Sequence, residues 1–100
     1  MKKSKNRLKA PTHESEELLK KALCEFHSDE DAKTFLKALG KVAKSVGSTN
    51  LIAKKAGIDR VSLYRFFSGK VIPSLGMAIR IFKALDFELN INVVHTSREN

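Results

Sequence analysis

Arg60, Ser62, Tyr64 and Arg65 stand close together between two glycines, Gly57 and Gly69. Two guanidinium groups, a hydroxyl and a phenol on one short helix make a donor array suited to a polyanion with readable edges. A guanidinium from Arg60 or Arg65 can donate two hydrogen bonds to guanine O6 and N7, worth about 1–3 kcal/mol of discrimination. Val61 beside them offers only apolar contact, for instance to a thymine methyl. Ser62 and Tyr64 suit phosphate or water-mediated contacts. The surrounding stretch, STNLIAKKAGIDRVSLYRFFSG from Ser48 to Gly69, reads as two short helices joined by a tight turn at Gly57. Ser48 caps the first, Thr49 to Ala56, and Asp59 caps the second, Arg60 to Ser68. Gly57 supplies the left-handed residue the turn needs. This is the outline of a helix-turn-helix, whose second helix enters the DNA major groove. Ser48 and Thr49, at a helix N-terminus with its free N–H groups, form a phosphate clamp. Lys54, Lys55 and Lys70 are further phosphate candidates.

Each of these residues has a plainer reading. Surface Arg and Lys often only solubilise a helix, Tyr64 can be half-buried, and Phe66 and Phe67 read as core rather than stacking platforms. Enzyme chemistry finds little support. His13, His27 and His95 form no i, i+4 pair and no spacing with Cys24, so no metal site is expected. Cys24 reads as a small core residue. The acidic run Asp29, Glu30, Asp31 is explained by helix capping. With no Gly-rich phosphate loop, no catalytic residue, cofactor or small-molecule substrate is expected.

The chain has 100 residues, 42% of them apolar, enough for one domain with a modest core. Nineteen Lys and Arg against eleven Asp and Glu give a net charge of +8. A small basic domain points to an anionic partner, most often nucleic acid. A single cysteine excludes a disulfide-stapled domain. No apolar run approaches the ~20 residues that span a bilayer. The basic N-terminus is followed by no apolar core of a signal peptide. A cytoplasmic location without membrane attachment is expected.

Residues 1–12 read as a disordered basic arm, a solvated tail or a salt-sensitive phosphate binder. The domain proper runs over 13–94, and 95–100 is a frayed tail. In a first helix, Leu18, Leu19, Ala22, Leu23 and Phe26 share a face. Ser28 is the expected cap of a second helix, with Asp31 at the capping-box position. There Ala32, Phe35, Leu36, Leu39, Val42, Ala43 and Val46 repeat at three and four, with Lys33, Lys37, Lys41 and Lys44 off the stripe. Gly40 interrupts that helix, which suggests close packing, and Gly47 stops it. Beyond the helix-turn-helix, Ser74 caps a fifth helix with Leu75, Ala78, Ile79, Phe82 and Leu85 inward and Met77 and Ile81 on a neighbouring strip.

Phe87, Leu89, Ile91 and Val93 then alternate with Glu88, Asn90 and Asn92, the period of a strand. One strand cannot satisfy its own backbone. Antiparallel pairing with a second copy would give a two-fold homodimer able to read a palindrome; packing on the chain's own helices is the alternative. The expected fold is all-α, five helices plus this one strand.

The segments ALGKVAKSVG, STNLIAKKAGIDRVSLYRFFSGK and the run from Pro73 to Leu89 together resemble the Xre or lambda-repressor-like helix-turn-helix. Within that superfamily the chain resembles the addiction-module antidote proteins, HigA-like antitoxins of type II toxin–antitoxin pairs, over about Phe26 to Val94. The resemblance implies a dimeric repressor that binds its operator in double-stranded DNA and neutralises a RelE/ParE-like toxin. Many Xre domains begin the third helix with Gln where this chain has Thr49, and many antitoxins are acidic where this one is basic. Two other functions remain open: a phage-type Cro/cI-like regulator without a toxin partner, and a protein–protein adaptor whose helix-turn-helix does not bind DNA.

Overall fold

The computed structural model describes residues 9–90 together with Val93 and His95, and for Asp29 the backbone alone. Among the described residues there are five helices: α1 (His13–Asp29), α2 (Ala32–Val46), α3 (Thr49–Ala56), α4 (Arg60–Ser68) and α5 (Leu75–Ala84). Each begins at a side chain that accepts from an otherwise orphaned N–H of its first turn. Thr12, Asp31, Ser48, Asp59 and Ser74 do this for α1 to α5 in order.

The cap of α2 is therefore Asp31, not Ser28, which lies within the last turn of α1. Glu30, left-handed at φ 60°, makes the break between the two helices. Asp31 immediately precedes the first residue of the apolar stripe, Ala32, and its two oxygens accept from the Lys33 N–H and the Thr34 hydroxyl, each at 3.1 Å. A hydroxyl three residues earlier cannot reach those donors. Residues 1–8 of the expected arm lie outside the described residues. The Lys9 N–H donates to the Val46 carbonyl at 2.7 Å, satisfying one acceptor left open at the C-terminus of α2.

Helix α2 is the centre of the packing and touches α1, α3 and α4; α3 in turn packs on α5. Its Leu39, Val42, Ala43 and Val46 are buried with Ile52, Leu63, Ile81 and Leu85. A chain of rings crosses the core: Phe26 stacks on Phe35 at 5.8 Å, Phe35 on Phe82 at 6.1 Å, and Phe87 meets Phe82 edge-on at 6.4 Å. These separations suit aromatic pairs and tie α1, α2, α5 and the C-terminal segment together. Several expectations for the core differ. Cys24 is exposed, Leu75 is exposed, Ala78 and Ile79 are only half-buried, and Ile81, expected on a neighbouring strip, is fully buried. Leu75 begins its helix, while Ile81 lies in the body of α5, the helix that packs on α3. Leu18 and Leu23 lie at the margins of α1's apolar face rather than within it.

Gly40 lets α4 approach α2. A Cβ at this position would stand 2.9 Å from Cβ of Phe67, closer than two carbons tolerate. At the other end of the chain, Asp86 turns left-handed at φ 66° and the Phe87 N–H donates to the Phe82 carbonyl at 2.8 Å. Residues 87–90 alternate in burial as the pattern predicts, Phe87 and Leu89 against the core, Glu88 and Asn90 in solvent. They form no strand, and no strand is found among the described residues. The rest of the described chain is helical and leaves no sheet edge to pair with. Ile91 lies outside the described residues, and Val93 is 97% exposed.

Gly40→Ala should lower stability, because overpacking costs about 1–3 kcal/mol and exceeds the roughly 1 kcal/mol of helix propensity recovered. Gly76→Ala, with nothing nearer than the Ser74 hydroxyl at 4.0 Å, should gain about 0.5 kcal/mol. Urea midpoints of the two variants moving in the same direction would contradict this. The hydrogen bond from the Ser62 hydroxyl, then that from the Ser62 N–H, holds the Asp59 carboxyl below the ordinary 3.8. A carboxylate with a lowered folded pKa stabilises the fold above its unfolded pKa, and that stabilisation is lost as pH falls through the folded value. The stability of Asp59→Asn relative to the parent should therefore improve as pH falls below about 4, read as urea midpoints between pH 2 and 6; a constant difference would refute the linkage.

Candidate nucleic-acid interface

The turn between α3 and α4 is built from its hydrogen bonds. Gly57 is left-handed at φ 72°, its N–H donates to the Ala53 carbonyl at 2.9 Å, and the Ile58 N–H donates to the same carbonyl at 3.0 Å. This closes α3 with two donors on one acceptor. Ile58 is buried beneath the turn. Asp59 then opens α4, accepting from the Ser62 N–H at 3.1 Å and from the Ser62 hydroxyl at 2.7 Å.

Helix α4 is anchored by Leu63, with no exposed surface, and Phe66. The residues before Ser62 and those between the two anchors face solvent. Arg60, Val61, Tyr64 and Arg65 are all exposed, Val61 at 61% and Tyr64 at 68%. Tyr64 is thus a surface residue, while Phe66 is core and Phe67 half-buried against it. Ser62 is only partly exposed and its proton is engaged by Asp59, so toward a ligand it offers lone pairs rather than a donor. Gly69, left-handed at φ 83°, ends α4 and turns the chain so that Lys70 follows in solvent.

The N-terminus of α3 lies beside the same face. Ser48 accepts from the Leu51 N–H at 3.2 Å and still has its own proton to donate. Thr49 and Asn50 begin the helix, where N–H groups have no carbonyl behind them. Thr49 and Tyr64 line one groove, and Lys37, Lys41 and Lys44 of α2 and Ser68 of α4 line it with them. Reading the chain as a sequence misses these lysines as site candidates. Their spacing along α2 is visible there, but not which neighbour they border.

The other lysines part company. Lys54 is exposed on α3. Lys55 pairs with Asp86 at 3.5 Å and lines a separate cleft with Arg80 and Lys83. Arg80 reaches the Gly57 carbonyl at 3.4 Å, a brace between α5 and the turn. Among the described residues, no group of three or more His, Cys, Asp and Glu is placed to hold a metal ion. No described helix is long and apolar enough to cross a membrane.

Comparison with known proteins adds the family. A curated protein of Haemophilus influenzae (strain ATCC 51907 / DSM 11121 / KW20 / Rd), itself described as uncharacterized, is 31% identical over 77 residues, which cover 77% of this chain and 78% of that protein. No solved structure matches. Residues 7–93 match the family described as probable addiction module antidote protein. The chain, all-helical where it is described, belongs to that family of antidotes, whose members imply a cognate toxin as partner.

Proposed function

We propose that this antidote is a sequence-specific DNA-binding repressor of the Xre, HigA-like kind, acting as a homodimer on an operator and neutralising a RelE/ParE-like toxin. The observation that carries the DNA half is the exposed row Arg60, Val61, Tyr64 and Arg65 on a helix fixed from behind by Leu63 and Phe66. A rigid helix with its donors outward meets the geometric need of major-groove readout. Thr49, with Ser48 and the first N–H groups of α3, takes a phosphate, and Lys54 and Lys70 add backbone contacts. The dimer is supported by the apolar surface left uncovered: Ile72 at 69% exposed, Leu75 at 63% and Val93. The alternating segment Phe87, Leu89, Ile91 and Val93 is the edge through which a second copy would pair. Family membership supports the toxin half.

Replacing Arg60 and Arg65 together by Ala should abolish the preference for a duplex from the gene's own upstream region over a scrambled duplex, measured by fluorescence anisotropy. The parent should show a preference of roughly a thousandfold at physiological salt. Equal binding of both duplexes by the parent would remove the repressor reading and favour an adaptor. Deleting residues 1–8 should weaken binding to both duplexes alike and flatten the salt dependence. Growth rescue from the adjacent gene product on co-expression checks the toxin half, and its absence favours a phage-type regulator.

A further inference from the structure

Between Ala32 and Leu85 the chain carries eleven basic residues and a single carboxylate, Asp59, already engaged as a cap. Four of the bases, Lys33, Lys37, Lys41 and Lys44, recur at three and four along α2 and so share one side of it. All four are exposed, and the ion pairs among the described residues, on α1 and between Lys55 and Asp86, engage none of them. The two ends of the row are fixed by contacts. At one end the stem of Lys33 lies against Gly69, where a Cβ would come within 2.6 Å of its Cγ, next to Lys70. At the other, Lys44 lines the groove that also contains Thr49 and Tyr64. The row therefore runs alongside α4, from its C-terminal turn to the N-terminus of α3.

We infer that this lysine row is a phosphate-binding rail, a part of the DNA interface contributed by α2, outside the helix-turn-helix. The inference rests on the DNA-binding reading above and extends it to four further residues. From Lys33 to Lys44 the rail is about 16 Å long at 1.5 Å per residue. One DNA strand presents a phosphate about every 3.4 Å along the axis, so the rail matches about five phosphate steps. Leu18, Ala38 and Phe67 line the same groove as Lys37, Lys41 and Lys44, an apolar surface along which lysine stems can lie with their ammonium groups in solvent. Because an ammonium is a point charge on a flexible stem, the rail raises affinity without reading bases. It positions α4 over the groove.

The test is anisotropy of the full chain on the upstream and scrambled duplexes across a salt series. Each phosphate contact contributes about −0.9 to the slope of log K against log salt. The quadruple variant Lys33→Gln, Lys37→Gln, Lys41→Gln, Lys44→Gln should show a slope shallower by about three to four on both duplexes, with the ratio between them unchanged. The double variant Lys37→Gln, Lys41→Gln should show about half that change, and it guards against loss of fold in the quadruple. Lys20→Gln with Lys21→Gln on α1 should leave the slope within about one unit of the parent. Folded variants whose slope matches the parent's overturn the rail, while a parent that prefers its upstream duplex keeps the repressor reading intact. A parent with equal affinity for both duplexes, but a slope that the quadruple variant flattens, overturns the repressor reading and leaves the rail standing.

Discussion

The close approach of α4 to α2 at Gly40 is the constraint on which the rest of the structure depends. Phe67 sits where any Cβ on residue 40 would stand, so the axis of α4 is set by the absence of one methyl group. With that axis set, Leu63 and Phe66 drop into the core and Val61, Tyr64 and Arg65 are turned outward. The same approach brings the lysines of α2 alongside the exposed residues of α4. A glycine in the middle of a helix weakens it by roughly 1 kcal/mol. Here that cost is the condition for two surfaces to become one.

Helices α3 and α4 and the turn between them are legible in the sequence because their determinants are local. Ser48, Gly57, Asp59 and Gly69 each act within four residues of themselves, through a hydrogen bond or a positive φ, and such signals survive without knowledge of the rest of the chain. Ser28 misleads for the same reason. A hydroxyl followed by an acid three residues on satisfies the capping pattern, yet α1 runs on through it until Glu30 turns. Burial was harder to read. Leu75 and Ile81 are both large and apolar, and only the crossing of α3 over α5 decides that Ile81 is fully covered and Leu75 is not. Cys24 is exposed because the inward face of α1 is narrower than its apolar residues suggest.

The C-terminal segment shows the limit of a periodic pattern. Alternation of Phe87, Glu88, Leu89 and Asn90 is present in the fold as alternation of burial, so the pattern correctly identifies which side chains seek apolar cover. It does not by itself identify a strand, because a strand is defined by a partner. Phe87 finds cover against Phe82, and its N–H finds the Phe82 carbonyl.

Asp59 poses a question of sign in a stretch otherwise stripped of carboxylates. It adjoins Arg60, at the N-terminal end of α4. Its charge, however, falls where the N–H groups of α4 converge, and the Ser62 N–H and hydroxyl both point at it. A negative charge so held is complemented by the helix's own positive end, and two donors offset much of the charge it would otherwise present to solvent. Holding the carboxyl ionised to lower pH is the thermodynamic trace of that arrangement. Helix α4 thus begins with an acid whose field its own backbone absorbs, and the exposed charge of this face is that of Arg60 and Arg65 and of the α2 lysines beside them.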